Sequence, residues 1–134
     1  MKNVRVIAVA LFVCAALLGG CRSATIQNVE LAPIISSPQH QQTMSSVKNA
    51  IIQAGYSLGW QMNDVAPGHL IGTLNIRSHQ AVVDITYTPE NYSINYKDST
   101  NLKHKGNKIH KNYNAWVKNL TNAINKRLSM PSSS

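Results

Sequence analysis

Acidic residues are scarce in this chain: five Asp and Glu stand against thirteen Lys and Arg in 134 residues, a formal net charge of +8. Such a balance favours anionic partners and disfavours cation binding. Cysteine is scarcer still. Cys14 and Cys21 both fall in the first 21 residues, so the chain from residue 22 on has no disulfide and no free thiol. Thiolate catalysis and Cys-based metal sites are therefore excluded there. Apolar runs are short: the longest, Val6 to Leu18, is below the roughly 20 residues a membrane-spanning helix wants. There is no internal repeat, no low-complexity block and no motif that specifies a reaction. The residues after Cys21 suffice for one small domain, whose stability must come from packing alone.

What is present at the N-terminus is informative. Lys2 and Arg5 precede the apolar run, and Leu18-Gly19-Gly20-Cys21 closes it. Charged, apolar and small-residue regions in that order have the layout of an export signal over residues 1–20. A Cys at the first mature position resembles the lipobox of bacterial lipoproteins, in which the thiol takes up a diacylglyceryl group and small residues admit the peptidase. Cys21 is therefore the expected lipidation site, and at about 0.8 kcal/mol per buried methylene two or three acyl chains anchor the protein to a membrane. By resemblance to enterobacterial sorting, Arg22 in place of an Asp points to the outer membrane of a Gram-negative envelope, facing the periplasm.

Residues 21–37 read as the lipidated Cys and a tether, with one short strand around Thr25 to Val29. Ser37-Pro38 suits a helix N-cap and first turn. Met44, Val47, Ile51 and Ala54 then recur at helical spacing, so a first helix is predicted from about Pro38 to Ala54, stopping at Gly55. The period then falls to two. Tyr56, Leu58, Trp60 and Met62, then Leu70, Gly72, Leu74 and Ile76, then Val83, Ile85 and Tyr87, then Tyr92, Ile94 and Tyr96 alternate with polar neighbours, which predicts four successive strands, the first beginning just after Gly55. From Ile109 the helical period returns through Tyr113, Trp116, Val117, Leu120, Ile124 and Leu128, ending near Ser129 ahead of Pro131. The expected fold is α+β, a two-layer sandwich: a four-stranded antiparallel meander with two helices on one face. The single domain is expected over residues 38–130, with a disordered tail at 131–134.

Charge is concentrated in the last third. Lys97, Lys103, Lys105, Lys108, Lys111, Lys118, Lys126 and Arg127 are opposed there only by Asp98. Leu102 to Lys111 reads as a flexible basic loop leading into the second helix, so Lys103, Lys105, Lys108 and Lys111 are candidate anion-binding residues for phosphate-bearing lipid headgroups or anionic envelope polymers. The bland alternative is a solvated face that aids solubility. Nucleic acid is not an expected partner, because no aromatic–basic interleaving marks a single-strand groove.

His40, His69, His79, His104 and His110 show no spacing that places two ligands on one helix face, and no carboxylate pair accompanies them, so neither a metal nor a cofactor is expected. Asp98, Ser99 and His110 form a conceivable hydrolytic trio, but Ser99 lacks the Gly-flanked turn that presents a nucleophile. The sheet's polar positions, including Gln61, Asn63, Thr73, Asn75, Arg77, Asp84, Thr86, Ser93 and Asn95, should form an open wet platform on which Arg77 and Asp84 pair weakly. The aromatics fall mostly on the inward phase and read as core.

Three groups of residues carry a resemblance. They are Ala54-Gly55-Tyr56 leading to Gly59-Trp60; Tyr92-Ser93-Ile94 with Tyr96 and Asp98-Ser99; and Ile109-His110-Lys111-Asn112-Tyr113 with Trp116-Val117 and Asn119-Leu120. Over roughly residues 40 to 128 the chain resembles an uncharacterised family of small proteobacterial lipoproteins or periplasmic proteins. The resemblance implies no activity; it marks His110, Asn112 and Asn119 as polar members, for which a capping role or a bond to the Asp98-to-Leu102 segment suffices. The expected function is a membrane-anchored, non-catalytic envelope interaction module, with a small envelope hydrolase and an anionic lipid- or polysaccharide-binding module as alternatives.

Overall fold

Helix α1, Met44–Ser57, starts at a reciprocal cap: Thr43 Oγ1 accepts from Ser46 N at 3.0 Å and Ser46 Oγ accepts from Thr43 N at 2.8 Å. The cap satisfies two helix-end donors at once. The computed structural model describes residues 22–130. The expected export signal over residues 1–20, Cys21 and the expected tail at 131–134 lie outside the described residues. The start of α1 corrects the expectation at Pro38, because Ser37 and His40 exchange backbone bonds of 2.9 and 3.3 Å that close a turn around it. The fixed φ of proline suits that turn as well as it suits a helix start. Gly55 does not end α1 either. It is buried in the last turn, where the Met62 side chain occupies the space a side chain at 55 would need, and Tyr56, expected to open the first strand, continues the helix; that strand starts only at Trp60, after Gly59 takes a φ of 89°.

Strands β3 (Trp60–Ala66), β4 (His69–Ile76), β5 (His79–Tyr87) and β6 (Asn91–Thr100) follow as the expected antiparallel meander. The sheet nevertheless has five strands. Val29–Pro33 forms β2 and pairs with β6, giving the order β2-β6-β5-β4-β3. The segment hides from a period-two reading because it carries a bulge: Val29 opposes Ile94 but Ala32 opposes Tyr92, and Leu31 adopts φ 50°. An extra residue flips the alternation within the strand. Leu31 N is satisfied by Ser93 Oγ at 2.9 Å, and Ser93, expected on the wet face, is only 8% exposed.

Ser23–Thr25 forms β1, which pairs with β7, Lys108–His110, in a separate two-stranded ribbon. The expected tether thus contains two strands. Ile26, Val29 and Ala32 pack against the core and Ile34 is buried in it. The second helix, α2, is Lys111–Leu128 and ends where expected, with Lys126 and Arg127 complementing its C-terminal dipole. Its start is later than predicted because Ile109 enters the core from β7, not from the helix.

Both helices cover the apolar face of the sheet. Val47, Ile51 and Ala54 of α1 and Tyr113, Val117, Leu120 and Ile124 of α2 meet the inward residues of β3 to β6. Each large apolar side chain buried this way contributes about 1.5–3 kcal/mol. Trp60 lies across the sheet because Gly72 on β4 has no side chain: a Cβ there would stand 3.3 Å from Trp60 Cε3 and 3.2 Å from both Met62 Sδ and Val83 Cγ2. Trp60, Tyr92 and Tyr113 are fully buried, whereas Trp116 and Tyr96 sit at the margin of the core.

Candidate functional site: the basic end of the domain

The basic segment is a built structure and not the flexible loop its composition suggests. Asn101 and Lys103 both take left-handed φ values, 58° and 54°, as the chain leaves β6, and Leu102 between them is buried. Lys105 and Lys108 then exchange two backbone hydrogen bonds of 2.9 Å around Gly106-Asn107. Gly106 has φ 60°, the conformation a two-residue hairpin wants at its first position. His110 N donates to Leu102 O at 2.8 Å and closes the segment at its base.

The N-terminal strand is laid against this hairpin. Ile26 N donates to Asn107 O at 2.8 Å, Lys108 Nζ to Thr25 Oγ1 at 2.9 Å, and Lys111 N to Arg22 O at 3.1 Å. Asn114, one turn into α2, accepts from Gln27 N at 3.0 Å and donates to Thr25 O at 2.8 Å. Arg22, Lys105, Lys108 and Lys111 are therefore gathered at one end of the domain, beside the point where the described chain begins. All four are exposed, as is Lys103. None of the five forms an ion pair among the described residues. The cross-strand pair Lys105–Lys108 puts like charges opposite each other, an arrangement that is destabilising when nothing neutralises it.

The hydrolytic trio is not assembled. His110 caps α2, its Nδ1 accepting from Asn112 N at 3.1 Å; Ser99 Oγ bonds Tyr96 Oη at 2.8 Å; Asp98 Oδ1 accepts from the backbone N of Ser99 at 2.7 Å. Among the described residues no hydrogen bond joins the side chains of the three, whereas nucleophilic catalysis needs base and nucleophile in contact. Both roles expected of His110 are observed: its side chain caps α2, and its backbone N donates to Leu102 O in the segment that follows Asp98.

On the wet face Asp84 does not pair with Arg77. Its Oδ1 lies 2.7 Å from His69 Nε2 and its Oδ2 lies 3.8 Å from Lys97 Nζ. The turn at Arg77-Ser78 sets this register, because Ile76 opposes His79, Ile71 opposes Asp84, and His69 becomes the diagonal neighbour of Asp84. Counting back from a two-residue turn would have found it. Lys97 joins because a bulge in β6 opposite Val82 and Val83 leaves it as the extra residue.

A groove of about 290 Å³ lies at the other end of α2, between Ala32, Pro33, Ile34 and Ile35 on one side and Asn125, Leu128 and Ser129 on the other. Ile35 is 88% exposed at its edge. The sequence signal was the Ile34-Ile35 pair bracketed by Pro33 and Pro38, which composition alone assigns to a tether. Beside the groove, Tyr92 Oη donates to Asn125 Oδ1 at 2.6 Å, and burial pushes the Tyr92 phenol up to about 12 despite that bond. Tyr113 Oη is buried with no hydrogen-bond partner among the described residues, and burial, aided by Tyr96, raises its pKa further.

Among the described residues no three His, Cys, Asp or Glu gather as a metal-ligating group, and no helix is long and apolar enough to cross a membrane. No family model, curated protein or solved structure matches the chain.

Proposed function

We propose that the protein is a bacterial envelope lipoprotein, anchored through acylated Cys21 to the outer membrane on its periplasmic side, and that it works as a non-catalytic interaction module. One observation carries the reading. β1 begins at Ser23, two residues after Cys21, and Arg22 is already bonded to Lys111 at the head of α2. A residue of chain spans at most about 3.6 Å, so acyl chains on Cys21 would hold the folded domain directly against the bilayer. The absence of a tether suits a module that acts at the membrane surface. The separate local engagements of Asp98, Ser99 and His110 support a non-catalytic role.

The test is Cys21→Ser in the native host. The variant should leave the membrane fraction while keeping the same thermal unfolding transition. A folded variant that stays with membranes would overturn the anchor.

A further inference from the structure

Three features of the basic end point to an anion. Lys105 and Lys108 face each other across a two-residue turn, a repulsion held in place by backbone bonds. Helix α2 opens with Lys111 and has no acidic residue in its first turn, although the positive end of a helix dipole favours acids there. Arg22 is held beside Lys111 by a backbone bond. Each arrangement costs stability in isolation, and each is relieved by the same negatively charged surface. Asp98, the acid nearest in sequence, is committed to the Ser99 backbone and forms no pair with these cations.

Their position says which surface. Cys21 is joined by one peptide bond to Arg22, and Lys108 lies opposite Thr25, so these cations stand within about 14 Å of chain from the proposed anchor. We propose that Arg22, Lys105, Lys108 and Lys111 dock on anionic phospholipid headgroups of the bilayer that holds the Cys21 anchor, and so fix the orientation of the domain on the membrane. The proposal rests on the lipoprotein reading and adds a second contact to it. A lipid anchor alone leaves a domain free to tumble about its attachment; a basic patch beside the anchor adds headgroup attraction that acts within a Debye length. The eighteen residues of α2 then carry the groove at Ala32 to Ile35 and Leu128 about 27 Å along the helix from the docked end.

The experiment uses the full lipidated chain reconstituted on two sets of vesicles. One is pure phosphatidylcholine and the other contains about one-third phosphatidylglycerol. Lysines are modified with an amine reagent and each site is read by mass spectrometry. Labelling at Lys105, Lys108 and Lys111 should fall about fivefold or more on the anionic vesicles and return in about 1 M salt, where the screening length is about 3 Å. Lys48 and Lys126 should label alike on both. Equal labelling of the cluster on the two compositions, with the protein bound to both, overturns the docking while leaving the anchor intact. Protection of Lys48 or Lys126 in place of the cluster overturns it as well. A purified chain whose Cys21 carries no acyl mass overturns the anchored reading itself, and the docking with it.

Discussion

Asn114 Nδ2 donates to the carbonyl oxygen of Thr25 at 2.8 Å across 89 residues of chain, while Oδ1 of the same side chain accepts from Gln27 N. One amide on α2 thus substitutes for a missing strand partner and clasps the N-terminal segment to the domain. Asn114→Ala should cost about 1 kcal/mol or slightly more, the net worth of two partly exposed bonds. The local effect should exceed the global one: the Gln27 amide should exchange faster by hydrogen-exchange mass spectrometry while β5 amides keep their protection.

Gly72→Ala tests the packing of Trp60 over β4. The added methyl would press on Met62, Val83 and Trp60 together at 3.2 to 3.3 Å. Overpacking of this kind typically costs about 1–3 kcal/mol. A urea midpoint lowered at unchanged slope is the expected result; an unchanged midpoint would show that Trp60 repacks freely.

Two buried tyrosines should respond oppositely to loss of the hydroxyl. Tyr92→Phe removes the 2.6 Å bond to Asn125 and should destabilise by about 1 kcal/mol. Tyr113→Phe removes a buried oxygen that has no partner among the described residues, so stability should hold or rise. Chemical denaturation of the two variants in parallel separates these outcomes.

Both phenols have pKa values raised above the usual 10 in the folded state, Tyr92 to about 12 and Tyr113 higher. Below pH 10 folded and unfolded chains hold these protons equally. Between pH 10 and 12 the unfolded chain releases them and the folded one retains them. Stability is therefore intact at pH 9 and falls as pH rises through this window, by up to about 1.4 kcal/mol per pH unit for each tyrosine. Denaturation midpoints at pH 9 and pH 11 should show the loss, and each Phe variant should reduce its slope.

The hydrophobic period carried much of the architecture. Leu70, Gly72 and Leu74, or Val83, Ile85 and Tyr87, alternate cleanly because each strand has one wet and one buried face, and turn residues separate them. Likewise Tyr113, Val117, Leu120 and Ile124 mark α2, since a helix with one buried side must repeat at that spacing. What escaped was structure whose partners lie far along the chain. β2 has no alternation because its bulge at Leu31 flips the phase, and β1 is three residues long, stabilised by β7 and Asn114 and not by its own composition.

The candidate site divides in the same way. Which residues are basic is local chemistry, complete in the order of the residues, and so is the Leu18-Gly19-Gly20-Cys21 order on which the lipoprotein proposal rests. That Lys105 faces Lys108, that Arg22 lies beside Lys111, and that His69 and Lys97, not Arg77, meet Asp84 are facts of register and tertiary pairing. They depend on a turn at Gly106-Asn107, another at Arg77-Ser78 and a bulge in β6. Sequence alone determined the α+β character, the two covering helices, the meander and the excess of positive charge, because burial periodicity and ionisation are properties of short stretches. Tertiary structure alone decided the fifth strand, the loss of the tether and the gathering of the cations at one end, because each requires backbone groups remote in sequence to satisfy one another.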